Sequence, residues 1–156
     1  MHIIGIGLPR TGTTSLAKFL RNLGFLGENY CVIHENKIND SIKILKKSFL
    51  IDNSAYRNYK HKLIYSKPET KFILTTRDKK SWKKSINSMK TKKLNIPKDL
   101  PEISLYHKEV IEFFKTKKSI NRLLVIDLYN ISQQEIFSFL EIENQLKIEY
   151  PKELIK

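Results

Sequence analysis

A chain of 156 residues, 40% hydrophobic and 29% charged, has the size and balance of one globular domain with its own core. It holds no apolar run near the roughly 20 residues of a membrane-crossing helix, and Met1-His2-Ile3-Ile4-Gly5 reads as a buried strand rather than a secretory leader. The net charge of +13 points to an anionic partner, yet the lysines are spread along a chain rich in Ile and Asn, as a low-GC coding bias would spread them. A nucleotide with several negative charges accounts for part of that excess more simply than a nucleic acid does. The single cysteine, Cys31, allows no internal disulfide, reads as a structural thiol and fits a cytoplasmic location.

In chain order, the strand His2–Ile6 runs through a glycine-bearing loop into a helix. Its Leu16, Phe19, Leu20 and Leu23 recur at i, i+3, i+4 and i+7, with Gly24 as the stop. Ile38, Ile42 and Leu45 mark a second helix. Phe49–Asp52 is the next buried strand, followed by a helix on Tyr56, Tyr59 and Leu63. Lys71–Thr76 is the third strand, and Asp78 caps a helix running through Trp82 and Ile86. Beyond a loop holding Pro97 and Pro101, a fifth helix carries Ile103, Tyr106, Val110, Phe113 and Phe114 on one face. Arg122–Asp127 is the fourth strand, and Ser132-Gln133-Gln134-Glu135 has the spacing of a capping box for a sixth helix through Phe139 and Leu140.

Short strands apolar on both faces, alternating with helices, predict an α/β fold. The expectation is a three-layer α/β/α sandwich with a parallel sheet of about four to five strands, in one domain over residues 1–156. Such sheets bind ligands at the carboxyl ends of their strands. For Gly7–Thr14, Asp52 and Arg77 to meet on one ligand there, His2–Ile6 should be central, between the strands ending at Arg77 and Asp127. Arg77 should then lie within ~15 Å of Gly12, the reach of an extended nucleotide.

Gly7-Leu8-Pro9-Arg10-Thr11-Gly12-Thr13-Thr14 has the Gly-x4-Gly spacing of a phosphate loop, between a strand and a helix as that loop requires. Glycines let successive N–H groups curl inward, and the helix start adds its positive dipole end, with Thr13 and Thr14 hydroxyls beside it. The lysine that follows the second glycine in nucleotide kinases is replaced by Thr13, and the loop's cation is Arg10 instead. Pro9-Arg10-Thr11-Gly12-Thr13-Thr14-Ser15-Leu16 resembles the 5′-phosphosulfate loop of the sulfotransferase superfamily. That resemblance implies a nucleotide site over Pro9, Arg10, Thr11, Gly12, Thr13, Thr14 and Ser15. The donor implied is 3′-phosphoadenosine 5′-phosphosulfate (PAPS), the product 3′-phosphoadenosine 5′-phosphate (PAP), and no metal is expected. Arg10 would contact the bridging oxygen and the sulfuryl group.

The same resemblance implies a 3′-phosphate site. Arg77 ends the third strand and Ser85 follows eight residues later, two turns into the next helix. Trp82 fits core packing better than adenine stacking. Two departures stand out: Ser15 replaces the tryptophan that many cytosolic members stack on adenine, and their Arg-Lys-Gly segment is missing. For the base that takes the acceptor's proton, Asp52 holds the position at the end of its strand, with Ser54 where cytosolic members have proline. His34, beside Glu35, is the second candidate, its ordinary pKa of about 6.5 suiting the role.

Two other readings share these residues. One is a P-loop kinase or NTPase, with Leu123-Leu124-Val125-Ile126-Asp127 as the strand whose Asp127 holds Mg²⁺ through water. The other is a non-catalytic nucleotide-binding module. No motif names the acceptor, a hydroxyl or amine compound. Its walls are expected at Leu26–Asp40 and Lys90–Pro101, while Tyr30, Tyr56, Tyr59 and Tyr106 either line an aromatic pocket or pack in the core.

Overall fold

The computed structural model describes residues 1–30, 47–143 and 148–151, with the backbone alone at 28–30. The elements in order are β1 (His2–Gly5), α1 (Thr13–Asn22), β2 (Leu26–Tyr30), β3 (Ser48–Asp52), α2 (Tyr59–Tyr65), β4 (Lys71–Thr76), α3 (Lys79–Thr91), α4 (Ile103–Thr116), β5 (Leu123–Asp127) and α5 (Gln133–Leu140). The helix read on Ile38, Ile42 and Leu45 lies outside the described residues.

The strands form one parallel sheet in the order β2-β3-β1-β4-β5, making the three-layer α/β/α sandwich that the alternation predicts. Successive side chains of a strand face opposite ways, so each strand feeds two cores. Ile3, Phe49, Ile51 and Ile73 pack under α1 and α5 with Leu16, Phe19, Phe137 and Leu140. Ile4, Ile6, Phe72 and Leu74 pack on the other face with Trp82, Ile86, Tyr106, Val110 and Phe114 from α3 and α4. Each fully buried side chain of this kind contributes roughly 1.5–3 kcal/mol.

The helix ends follow their capping residues. The Asp78 carboxylate accepts the Ser81 N–H at 2.8 Å, the Glu102 carboxylate accepts the Leu105 N–H at 3.0 Å, and the Ser132 hydroxyl accepts the Glu135 N–H at 3.3 Å.

One expectation is corrected. β1 is central, but its neighbours are β3 and β4; β5 pairs with β4 at the sheet edge, register Leu74 opposite Val125. A strand has two edges, and β3 takes the one reserved for β5. A fifth strand, β2, stands at the other edge of the sheet, at the start of the segment expected to wall the acceptor. Its sequence, Leu26-Gly27-Glu28-Asn29-Tyr30, lacks β-branched residues because it is an edge strand, with Leu26 left exposed. A Cβ on Gly27 would fall 2.0 Å from the Phe49 carbonyl oxygen, so the pairing with β3 needs glycine there.

Candidate functional site

After β1 the chain passes to α1 on one face, while after β3 and β4 it passes to α2 and α3 on the other. The carboxyl end of β1 is therefore a topological switch point, where the diverging loops open a crevice. That crevice is lined by Pro9, Arg10, Gly12, Thr13 and Thr14 from the loop after β1. Asn53 and Ser54 come from the end of β3, Arg77 from the end of β4, and Met89, Asn95, Ile96, Pro97 and Leu128 complete it.

The loop is held from beneath. The Thr11 hydroxyl donates to the Leu8 carbonyl at 2.6 Å and shares a 2.7 Å hydrogen bond with Thr75 on β4. Trp82 donates its indole N–H to the Pro9 carbonyl at 2.9 Å and is buried, which makes it a strut and not a stacking surface. Gly7 sits so close to β4 that a Cβ would meet Thr75 Oγ1 at 1.9 Å. Gly12 has φ 95° and faces Leu128, while Arg10, with φ 68°, adopts a left-handed conformation unusual for a residue with a side chain. α1 begins at Thr13 with no side-chain cap and no acidic residue in its first turn, so its positive end is open to an anion.

The side chains expected to serve the nucleotide divide into two sets. Thr11 and Ser15 are buried. Thr13 donates to the Asn53 side-chain oxygen at 3.2 Å, and Thr14 is exposed on the helix start. Arg10 and Arg77, far apart in sequence, lie within hydrogen-bonding distance: Arg77 Nη1 donates to the Arg10 carbonyl at 3.1 Å, well inside the expected reach from Gly12. Arg10 Nε in turn donates to Ser85 Oγ at 2.9 Å. The sequence assigns Arg10 and Ser85 to opposite ends of a nucleotide, yet here they touch. Ser85 keeps its own O–H as a donor while it accepts from Arg10.

Tyr129 has no motif to announce it. It lies just past β5, half exposed, with the Arg77 guanidinium 5.3 Å from its ring centre and bonded to its hydroxyl. Its position beyond a strand's carboxyl end is the only sequence signal it carries. Arg77 Nε is buried with no hydrogen-bond partner, a donor left over for a ligand.

Asp52 is placed less directly. Its Oδ1 accepts both the Ser54 N–H at 2.8 Å and the Ser54 hydroxyl at 2.7 Å, and Lys62 Nζ lies 4.0 Å from Oδ2. Ser54 and Asn53 line the crevice; Asp52 stands behind them. His34 and Glu35 lie outside the described residues.

Among the described tyrosines, Tyr59 and Tyr106 are core. The Tyr106 hydroxyl donates to the Ile6 carbonyl at 2.6 Å, and both Tyr56 and Tyr59 meet its ring edge-on. The Tyr56 hydroxyl donates to Asp99 at 2.7 Å; burial and that carboxylate raise its pKa to about 12. Arg57 grips the same Asp99 with two hydrogen bonds of 2.6 and 2.8 Å, which holds that carboxyl well below its usual range. The loop before α4 is thereby tied down, and its residues 95–97 form the crevice wall expected within Lys90–Pro101. Residues 26–30, in the other expected wall, belong to β2, and residues 31–40 of that wall lie outside the described residues. Asp127 spends one oxygen on the Tyr129 N–H at 3.0 Å and does not line the crevice.

Among the described residues no helix is long and apolar enough to cross a membrane. No protein-family model matches the chain, and a search of curated proteins returns no significant match.

Proposed function

We propose that this protein is a sulfotransferase, moving a sulfuryl group from PAPS to a hydroxyl or amine of an acceptor. The observation that supports this most is the linked set Arg77–Arg10–Ser85 beside a lysine-free phosphate loop. A kinase loop carries lysine after its second glycine to reach the β/γ-phosphates; this loop carries Thr13 there and puts arginine within the turn. Arginine binds two oxygens at once through its planar fork and stays charged.

The crevice suits such a nucleotide. In this reading the loop N–H groups and the start of α1 would serve a 5′-phosphate, while Arg77, with its unpaired Nε–H, and the hydroxyl of Ser85, held to Arg10, would offer donors for a 3′-phosphate. The acceptor oxygen or nitrogen attacks sulfur as the bond from sulfur to the bridging oxygen breaks. That oxygen leaves on the 5′-phosphate of PAP with the electron pair. Arg10 meets the charge that builds there, an interaction stronger in the transition state than before it. The acceptor's proton passes to Asp52 by way of Ser54, a crevice residue whose hydroxyl already donates to the carboxylate.

The deciding experiment is calorimetry with PAP, AMP and ATP, followed by transfer from radiolabelled PAPS to a mixed acceptor panel. PAP binding tightest of the three, together with transfer, carries the reading. Preference for ATP would point instead to a P-loop kinase or NTPase. PAP binding without turnover on any acceptor would leave a nucleotide-binding module.

A further inference from the structure

The wall formed by Asn95, Ile96 and Pro97 has two sides. One faces the crevice above the phosphate loop; the other faces a groove that runs along α3 to Lys98 and Leu100. The groove therefore opens beside the point where the proposed transfer takes place. Its floor is apolar: Ile86 is buried, Ile96 and Leu100 are half-buried, and Leu94 is exposed. Its rim is basic. Lys83 and Lys90 stand seven residues apart on one face of α3, and Lys93 and Lys98 rise from the loop opposite.

The charge here is local and, at the rim, uncompensated. Residues 79–98 contain eight lysines and no aspartate or glutamate. Among the described residues none of the four rim lysines is in an ion pair. The acids that flank the segment are engaged away from the rim: Asp78 caps α3, Asp99 is held by Arg57 and Tyr56, and Glu102 caps α4 and pairs with Lys79. Helix stability does not account for the lysines of the first two turns of α3 either. The positive end of a helix dipole favours acids at Lys79, Lys80 and Lys83, and none is there.

We infer that this groove holds the acceptor, and that the acceptor is an acidic polypeptide segment carrying apolar side chains between its carboxylates. The inference rests on the sulfotransferase reading. Carboxylates meet the lysine rim while apolar side chains cover the floor. The groove suits a glycan poorly: its floor offers few fixed hydrogen-bond partners, and Trp82 is buried with its N–H committed to Pro9.

The test uses fluorescence anisotropy with a labelled peptide of alternating glutamate and leucine around one tyrosine. A glutamine-for-glutamate twin and a heparin oligosaccharide are the competing probes, and PAP affinity is measured in parallel by calorimetry. The acidic peptide should bind about tenfold more tightly than its twin, and a Lys83→Glu/Lys93→Glu/Lys98→Glu variant should lose about tenfold toward it while PAP affinity holds. A Lys67→Glu/Lys117→Glu/Lys118→Glu variant, with the same change of net charge, should bind the peptide as the unaltered protein does. Equal losses in both variants, equal binding of the twin, or tighter binding of heparin would overturn the inference. Groove-dependent peptide binding by a protein that does not bind PAP would uphold the occupant and refute the sulfotransferase reading instead.

Discussion

Replacing Arg77 with alanine separates the two ends of the proposed nucleotide site. In the structure its guanidinium makes two internal contacts, to the Arg10 carbonyl and to Tyr129, and leaves Nε–H free of partners. Removing the internal contacts loosens the loop for any nucleotide, at a cost of about 1 kcal/mol, the net value of an ordinary hydrogen bond. A charge-assisted contact to a 3′-phosphate is worth more, about 1.5–3 kcal/mol, or roughly 10–150-fold in affinity. AMP has no 3′-phosphate and bears only the first loss; PAP bears both. Titration calorimetry of the unaltered protein, Arg77→Ala and Arg77→Lys with each nucleotide measures the difference. Arg77→Lys should fall between the other two for PAP, keeping charge but not the planar fork. Equal losses for PAP and AMP in Arg77→Ala would refute the reasoning, because the arginine would then act only on the loop.

Arg10→Ala should depress turnover with PAPS more than PAP affinity, and an unchanged transfer rate would remove the chief support of the mechanism. Asp52→Asn should leave PAP binding nearly intact and lower turnover by roughly 10²–10⁴, with Ser54→Ala lowering it in the same direction; full activity in Asp52→Asn would move the base to His34 or Glu35. Gly7→Ala forces a Cβ against Thr75 Oγ1 at 1.9 Å and should cost at least about 2 kcal/mol in urea denaturation. Burial lowers the pKa of His107, partly opposed by nearby Asp127. At neutral pH the imidazole is uncharged in both folded and unfolded chains. As pH falls below about 6.5 the unfolded chain takes up a proton that the native state resists, so stability declines until the lower native pKa is reached. His107→Leu should flatten that part of the urea-midpoint profile, and an unchanged slope would show that another group titrates there.

Four strands, the caps at Asp78 and Ser132 and the glycine-bearing turn between β1 and α1 were legible in the sequence because each depends on local chemistry. Buried strands need continuous apolar runs, helix starts need a side-chain acceptor, and a turn pressed against its neighbours at Gly7 and at positive φ at Gly12 needs glycine. The resemblance puts Arg77 and Ser85 together by their spacing; that Arg10 touches both could not be read, since 67 residues separate Arg10 from Arg77. Strand order was decided only in three dimensions. The patterns of β3 and β5 are equally apolar, and nothing local says which of them takes the second edge of β1. An edge strand such as β2, short of β-branched residues and fitted by Gly27 against the Phe49 carbonyl, leaves almost no periodic signal. Lysines that look evenly spread along the chain gather on one groove because a helix face and the loop after it are brought together. The sequence by itself determines which residues are apolar, which turn and which carry charge; the packing of α3 and its loop against the sheet determines which of those charges share a surface.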